Sequence, residues 1–302
     1  MGHAGWMRQL LFCLCVVVSA CSDAAGSGMR ALPSWAVAQG QDAYGAWADF
    51  EVAGQRARLR RIPKGSFMMG SPEAELGRGP DEQQHEVTFT HDLWLAESEC
   101  TQVLWSAVMD KNPSHFVSEQ RPVETVTWLD VQLFLERLNE RLPELEARLP
   151  SEAEWEYSSR AGTITETYAG ALEVAGKFEA PILDDIAWHG GNSGMDFELD
   201  TGIPFAQAEP AGSHAVKSKK PNAWGLYDSL GNLWEWCQDW FGPYDAGPVA
   251  DPQGAAQGDG RVIRGGSWGD AAADLRVANR NQGTPQDKVI ILGFRIARTA
   301  DD

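Results

Sequence analysis

Tryptophan and glycine set the strongest limit on what this sequence can fold into. The 302-residue chain carries 13 tryptophans and 31 glycines, and beyond its N-terminal region it has neither repeats nor heptads. A few large aromatic side chains can fill a core, and glycines permit the tight turns that connect short elements. The composition therefore indicates an irregular, loop-rich domain rather than a helical bundle.

Short runs of alternating apolar residues predict strands in the first third of the chain. They lie at residues 50–52, 59–62 and 67–71, and two further runs, 87–89 and 93–95, are predicted to form a strand pair. Turns and short strands are expected after Arg160. With few helices and much irregular backbone, the chain is predicted to be an α+β domain.

Three helices are predicted from spacing and capping residues. Residues 101–109 form the first, with Thr101 as the N-cap, and residues 128–142 form the second. The third begins at the capping box of Ser151 and Glu154 and runs through Tyr157. The second helix is predicted to bury a stripe of leucines, namely Leu129, Leu133, Leu138 and Leu142.

The first residues indicate export. Arg8 precedes an apolar stretch, residues 10–18, which is too short to span a bilayer. The small residues before Cys21, in Val18-Ser-Ala-Cys21, are typical of a bacterial lipobox. The alternative is an ordinary secretory signal with a coincidental cysteine. Ser22 rather than aspartate after the cysteine favours the outer membrane.

The lipobox interpretation divides the chain into three parts. We expect residues 1–20 to be a lipoprotein signal peptide and Cys21 to be the lipidated first residue, which anchors the protein to the cell envelope. Residues 21–42 are small, polar and alanine-rich, so they are predicted to be a flexible tether. Residues 43–302 are then predicted to fold as one domain.

Cys100 and Cys237 are the thiols of the predicted domain. An exported compartment is oxidising, so a disulfide between them is one expectation and two buried free thiols are the other. The formal net charge of −18 argues against a nucleic-acid partner, because such a surface repels phosphates. The same charge suits a cation or a basic partner.

Several motifs, in order along the chain, resemble the formylglycine-generating enzyme family, also called the sulfatase-modifying factor family. Among them are Arg148-Leu-Pro-Ser-Glu-Ala-Glu-Trp-Glu-Tyr157, Gly231-Asn-Leu-Trp-Glu-Trp236 and Arg261-Val-Ile-Arg-Gly-Gly-Ser-Trp268. The others lie at residues 62–71, 99–102, 112–116, 121–128, 222–228 and 292–295. The resemblance covers about residues 50–297 and implies a variant of the C-type lectin fold with little regular secondary structure.

The resemblance also implies a structural calcium ion. The family holds Ca²⁺ with a side chain after a Leu-Tyr pair, two backbone carbonyls and a glutamate, and these positions are Asp228, Gly231, Leu233 and Glu235 here. Such hard oxygen ligands suit Ca²⁺. In the alternative interpretation, Asp228 caps a turn and Glu235 pairs with an arginine.

The catalytic positions of the family differ in this chain. Active members bind copper(I) with two cysteines after the Gly-Gly-Ser motif, and those positions fall at Asp270 and Leu275. No cysteine follows Cys237, and a carboxylate cannot replace a thiolate as a ligand for copper(I). Copper binding and formylglycine formation by the family's route are therefore not expected, and no catalytic residue is assigned.

Two classes of function follow from the resemblance. The first is a non-catalytic binding or accessory lipoprotein, which presents the old substrate cleft to a protein, peptide or glycan at the cell envelope; a diversified receptor is one version of it. The second is an oxidase of the same family with a rearranged active site. The predicted recognition face consists of Ser267, Trp268, Asp270, Arg276 and Asn279. Part of the apolar triplet at residues 289–291 is expected to add an exposed patch.

The remaining chemistry-bearing residues are interpreted as structural. The histidines have no metal-ligand spacing, and Trp234, Trp236 and Trp240 are expected to pack in the core. The glutamates that open the third helix, Glu152 and Glu156 among them, are interpreted as the acidic bias of a helix N-terminus.

Overall fold

A computed structural model describes residues 1–2, 31–194, 212–245 and 247–300. Contacts divide the chain into two units, Met1–Ala31 and Leu32–Asp302. The predicted signal peptide from residue 3 onward, the lipobox and tether residues 21–30 lie outside the described residues. Within the described ranges, no helix is long and apolar enough to cross a membrane.

Twelve described strands form three sheets. In chain order they are β1 (Ala38–Asp42), β2 (Gly45–Val52), β3 (Gln55–Ile62), β4 (Ser66–Met69), β5 (His85–Thr88), β6 (Leu93–Ala96), β7 (Trp234–Trp240), β8 (Val249–Ala250), β9 (Arg261–Arg264), β10 (Arg280–Gly283), β11 (Leu292–Gly293) and β12 (Ala297–Thr299). The sheet orders are β1-β2-β3-β6-β12, β10-β9-β7-β11 and β4-β5-β8.

The largest sheet joins distant parts of the sequence. In β2, Ala48, Phe50 and Val52 alternate with less buried residues and enter the core. Strand β12 near the end of the chain pairs antiparallel with β6, with Ala297 opposite Leu95. The strands at residues 87–89 and 93–95 were predicted to pair, and this is wrong: β5 pairs with β4 and β8, whereas β6 pairs with β3 and β12.

The three predicted helices begin where the sequence places them, and a fourth, α4, was not predicted. They are α1 (Gln102–Val108), α2 (Trp128–Arg141), α3 (Glu152–Arg160) and α4 (Pro181–Asp184), with 3₁₀ turns at Pro143–Leu145 and Ala272–Asp274. Thr101 caps α1, and the Ser151 hydroxyl accepts a hydrogen bond from the Glu154 amide in the predicted capping box of α3. These local signals are confirmed because capping depends only on residues within one turn.

The buried face of α2 differs from the prediction. Leu129 and Leu133 are 50% and 39% exposed. The buried residues are Trp128, Val131, Phe134, Leu135 and Leu138. The Phe134 ring stacks on Trp105 at a centroid distance of 5.2 Å, so aromatic packing, rather than the leucine stripe, orients the helix.

The C-terminal boundary of the predicted tether is also corrected. Residues 38–42 of the predicted 21–42 tether form strand β1, which pairs with β2. Trp35 is buried and its ring meets Trp94 edge to face. The folded region therefore begins before residue 43, because Trp35 packs against Trp94 and residues 38–42 add a strand to the largest sheet.

The two thiols of the domain are free and buried. Cys100 lies in the hydrophobic cluster around α1 and α2, and Cys237 lies in a different cluster around Trp155. The expectation of a Cys100–Cys237 disulfide is therefore corrected in favour of two buried thiols. Burial raises the pKa of both thiols above the usual value, so each is held in the protonated form.

Candidate functional site

The loop after β9 carries Asp270 and Leu275, the two positions that the resemblance assigns to the copper thiolates of active family members. Gly265 and Gly266 have φ angles of +100° and +75°, and this conformation turns the following residues inward. The Asp270 Oδ2 atom then accepts hydrogen bonds from the Ser267 amide (2.7 Å), the Ser267 hydroxyl (2.6 Å) and Trp234 Nε1 (2.8 Å). Burial raises the pKa of Asp270 despite these donors.

Leu275, at the second position, is part of the core. Its side chain is fully buried and packs in the same cluster as Trp155 and Val277. The two positions therefore hold a hydrogen-bonded carboxyl and an apolar side chain, and neither supplies a sulfur ligand.

Most of the predicted recognition face is not accessible. Ser267, Trp268 and Arg276 are buried, and Asp270 and Asn279 are half-buried. The reason is that the polar groups of this segment bond within the protein. Arg276, for example, forms ion pairs with Glu75 and Glu82 at 2.6 and 2.8 Å, and the Asn279 amide donates to the Asp274 carbonyl.

The apolar triplet at residues 289–291 is partly exposed and partly buried, as expected. Val289 is 43% exposed, while Ile290 and Ile291 are half-buried. Ile291 packs against the cluster around α1 and α2. One side chain of the triplet is thus available at the surface and another supports the core.

The predicted calcium ligands make other contacts in this structure. Arg295 donates to both carboxylate oxygens of Glu235, each at 2.6 Å, and Trp155 Nε1 also donates to Glu235. The Asp228 carboxylate accepts the Lys217 amide at 2.7 Å. These are the contacts of the alternative interpretation, in which Asp228 caps a turn and Glu235 pairs with an arginine.

The predicted calcium ligands nevertheless lie in a region with an excess of buried carboxyl groups, and such an excess of negative charge fits a cation. Burial, followed by the charges of Asp228 and Glu235, raises the pKa of Glu99 well above its usual value. Burial also raises the pKa of Asp228 to about 6. Arg295 is the arginine that acts on all three acids. Among the described residues, no three His, Cys, Asp or Glu side chains are placed to hold a metal, so calcium binding stays a prediction that needs the carbonyls of Gly231 and Leu233 as ligands.

Calcium dependence of stability tests this prediction. Because a ligand that binds only the native state stabilises it by mass action, excess Ca²⁺ should raise the melting temperature and a chelator should lower it. Glu235→Gln should abolish the response. The comparison is between protein stripped of metal and the same protein reloaded with Ca²⁺. Equal melting temperatures of these two forms would contradict the predicted calcium site.

The glutamates of α3 have a role that the sequence analysis missed. Glu156 is fully buried and pairs with Arg160 and Arg264, and Glu152 pairs with Arg264 and Arg280. They are partners of a buried ionic network rather than an acidic bias at a helix end. Arg160 lies on α3 itself, four residues after Glu156, but Arg264 and Arg280 come from β9 and β10, more than a hundred residues further along the chain, so the local pattern around α3 contains no signal for these two.

The architecture and the loop after β9 define the class of the protein. A mixed domain with few helices, three small sheets and an inward-turned Gly-Gly-Ser loop is a C-type lectin-like domain of the formylglycine-generating type. The chain belongs to the family described as the sulfatase-modifying factor enzyme 1-like domain, whose model matches residues 49–300. The resemblance and the fold class given by the sequence are thereby confirmed.

Known proteins of this family are similar over most of the domain. The chain is 37% identical to the formylglycine-generating enzyme of Streptomyces coelicolor over 191 residues, which are 60% of this chain and 53% of that enzyme. It thus matches about half the length of that relative. Two solved structures each cover 83% of this chain and are themselves covered to 98%. They are variable protein 1 of Treponema denticola (TM-score 0.70, 29% identity) and PvdO of Pseudomonas aeruginosa (TM-score 0.69, 26% identity).

Proposed function

We propose that this chain is a cell-envelope lipoprotein whose domain binds a partner and does not carry out the family's copper-dependent oxidation. The observation that carries the proposal is the state of the two thiolate positions. Asp270 is an oxygen group already bonded to three donors, and Leu275 lies in the core. Copper(I) prefers soft sulfur ligands, so neither side chain can take over the role.

The remaining thiols do not compensate for this loss. Cys100 and Cys237 are buried in separate clusters, and burial raises the pKa of each. Copper(I) coordination needs thiolates close to one another and to the substrate. Two protonated thiols in different parts of the core fit a structural role.

The proposed partner is a protein, peptide or glycan of the envelope rather than a nucleic acid. The net charge of −18 favours a basic partner over a phosphate backbone. Because Ser267, Trp268 and Arg276 are buried, the accessible part of the old cleft region is its rim. We take as this rim the exposed side chains of the segment 267–291, among them Asp274, Asn281, Gln282 and Val289, a mixed polar and apolar set suited to a modest contact.

A direct assay for formylglycine formation tests the central part of the proposal. Purified protein supplied with copper(I) and oxygen should leave a Cys-x-Pro-x-Arg peptide unconverted, as judged by mass spectrometry, while the Streptomyces coelicolor enzyme serves as the positive control. Cys100→Ser and Cys237→Ser should behave like the unaltered protein. Turnover above a protein-free control that disappears in either variant would instead establish the alternative, an oxidase with a rearranged site.

The lipid anchor is tested by the fate of the lipobox cysteine. The proposal predicts that labelled palmitate enters the unaltered protein, whereas Cys21→Ser takes up no label and is released from the membrane fraction or left unprocessed. Cys15→Ser is the matched control, because it alters a thiol within the predicted signal peptide and should leave labelling unchanged. Equal labelling and processing of Cys21→Ser and the unaltered protein would contradict the lipobox interpretation.

A further inference from the structure

A polar cavity lies away from the loop that carries Asp270 and Leu275. Its volume is about 300 Å³, and residues of β5, α3, β7, β8 and β10 contribute to its lining together with the loop before β8 and the turn after it. The residues used below are His85, Glu152, Asp239, Tyr244 and Arg280. None of residues 265–279 lines it, so it is separate from the family's cleft.

The arginine in the wall of this cavity is already engaged. Arg280 donates to the two carboxylate oxygens of Glu152 at 2.8 and 2.6 Å, and it also donates to the carbonyls of Asp81 and Gly242. Glu152 further accepts the Tyr244 hydroxyl at 3.0 Å and Arg264 at 3.1 Å. This ion pair is therefore satisfied internally, and Arg280 is not available to attract an anionic ligand.

Asp239 is a buried acid in the lining that forms no ion pair with a cationic side chain among the described residues. Its side chain is buried, and its Oδ2 atom accepts the Glu152 amide at 2.8 Å. Burial, with the charge of Glu152 as the second cause, raises the pKa of Asp239 to about 7. The ionisable groups around it are Glu152 and Glu154 on α3, Cys237 on β7, Arg261 on β9, and His85, Tyr244, Asp245 and Arg280 in the cavity lining.

Residue 254, which lies against Asp239, is a glycine. No side chain at position 254 therefore covers the Oδ1 atom of Asp239. Gly254 lines the same cavity with a φ of +71°, and a Cβ built there would lie 2.4 Å from Asp239 Oδ1. Any other residue at position 254 would collide with the carboxyl. The absence of a side chain therefore preserves space directly against a buried acid.

We propose that this cavity binds a small organic cation with a primary ammonium group, for which Asp239 is the counter-charge. An ammonium group would supply hydrogen-bond donors and a positive charge to the ionised carboxyl, which is the interaction that the buried acid lacks. The exposed carboxyl of Asp245 in the lining favours the same sign of charge. This site is independent of the function proposed for the cleft.

The proposal is tested by measuring the binding of pentylammonium to the purified protein in a ligand-observed NMR titration. The amine should bind, while 1-pentanol, of the same length but neutral, should bind at least about tenfold more weakly, because a charge-assisted hydrogen bond is absent. Asp239→Asn retains an acceptor for the Glu152 amide and should lower the amine affinity to that of the alcohol. Asp110→Asn, on an exposed carboxyl elsewhere, is the control and should leave the affinity unchanged.

The pH dependence provides a second readout. The cation binds the ionised carboxyl, so its affinity should be constant well above pH 7 and should fall about tenfold per pH unit below the pKa of Asp239. Asp239→Asn should show no such dependence. Equal binding of amine and alcohol, or amine binding that Asp239→Asn leaves unchanged, would overturn the proposal and would indicate a neutral ligand or none.

The stability of Asp239→Asn shows whether the variant is folded and whether the acid is buried as described. The native pKa of Asp239 lies above the unfolded value, so this group contributes stability at low pH that is lost as pH rises toward 7. Relative to the unaltered protein, the variant should therefore gain stability as pH rises from about 4 to about 7 and keep that gain above pH 7. Gly254→Ala provides an independent test, since it narrows the site without changing any charge, and it should also abolish amine binding.

Discussion

Arg264→Met should destabilise the domain by about 3–5 kcal/mol, the usual cost of removing one partner of a buried ion pair. The Arg264 side chain is completely buried and pairs with Glu152 at 3.1 Å and with Glu156. It also donates to the backbone carbonyls of Val277 and Ala278. Methionine fills much of the volume but leaves two buried carboxylates and two carbonyls with fewer donors. Chemical denaturation of the purified domain measures the effect.

A second substitution distinguishes loss of charge balance from loss of packing. Glu156 retains Arg160 in the Arg264→Met variant and Glu152 retains Arg280, so each carboxylate loses one of its two arginine partners and keeps the other. Glu156→Gln by itself preserves the side-chain volume but removes the charge that pairs with Arg160 and Arg264, so it should also destabilise the domain if charge rather than packing is responsible. Arg56→Met, which alters an exposed pair with Glu51, should leave the denaturation midpoint unchanged. Stability of Arg264→Met equal to that of the unaltered domain would show that the network does not hold α3 against β9.

Acid should weaken the same network. The charges of Arg160 and Arg264 overcome the effect of burial and hold the pKa of Glu156 below its usual value. A carboxyl with a lowered native pKa contributes stability that is present above the unfolded pKa and is lost as pH falls through the native pKa. The network therefore supports the domain at neutral pH, where the raised pKa of Asp239 acts in the opposite direction.

The sequence predicted the parts of this fold that depend on neighbouring residues. The N-caps Thr101 and Ser151 and the starts of α1, α2 and α3 are as expected, because capping is settled within one turn of helix. The orientation of α2 was not predictable from its leucines. Its buried face is selected by the rings of Trp105 and Phe294, which come from other parts of the chain.

The resemblance assigns positions to the candidate site, but the sequence does not predict the environment of those positions. The resemblance placed Asp270 and Leu275 at the thiolate positions, yet nothing in the local sequence indicates that Trp234 donates to Asp270 from 36 residues away. The burial of most of the predicted recognition face was not predictable for the same reason, since Arg276 pairs with Glu75 and Glu82 about 200 residues earlier. Polar residues in an irregular fold are bonded through long-range contacts, which short motifs do not encode.

Gly231 is expected to be among the least replaceable residues of the domain. Its φ is +75°, and a Cβ at this position would lie 2.2 Å from the carbonyl oxygen of Trp188. Gly54 has a similar φ of +80° but no atom within 4 Å of the corresponding point. Alanine would therefore adopt the same unfavourable backbone conformation at both positions, but only at position 231 would its Cβ collide with another atom.

Gly54→Ala should destabilise the domain by roughly 1–2 kcal/mol, the cost of the left-handed conformation for a residue with a side chain. Gly231→Ala should add roughly 1–3 kcal/mol of overpacking to that cost, because the contacted atom is backbone and accepts the Asn232 amide at 2.8 Å. Denaturation in the presence of a chelator separates this collision from any loss of calcium. Equal destabilisation by the two variants would mean that the Trp188 carbonyl can move aside, and the close approach would then not fix the turn that leads into β7.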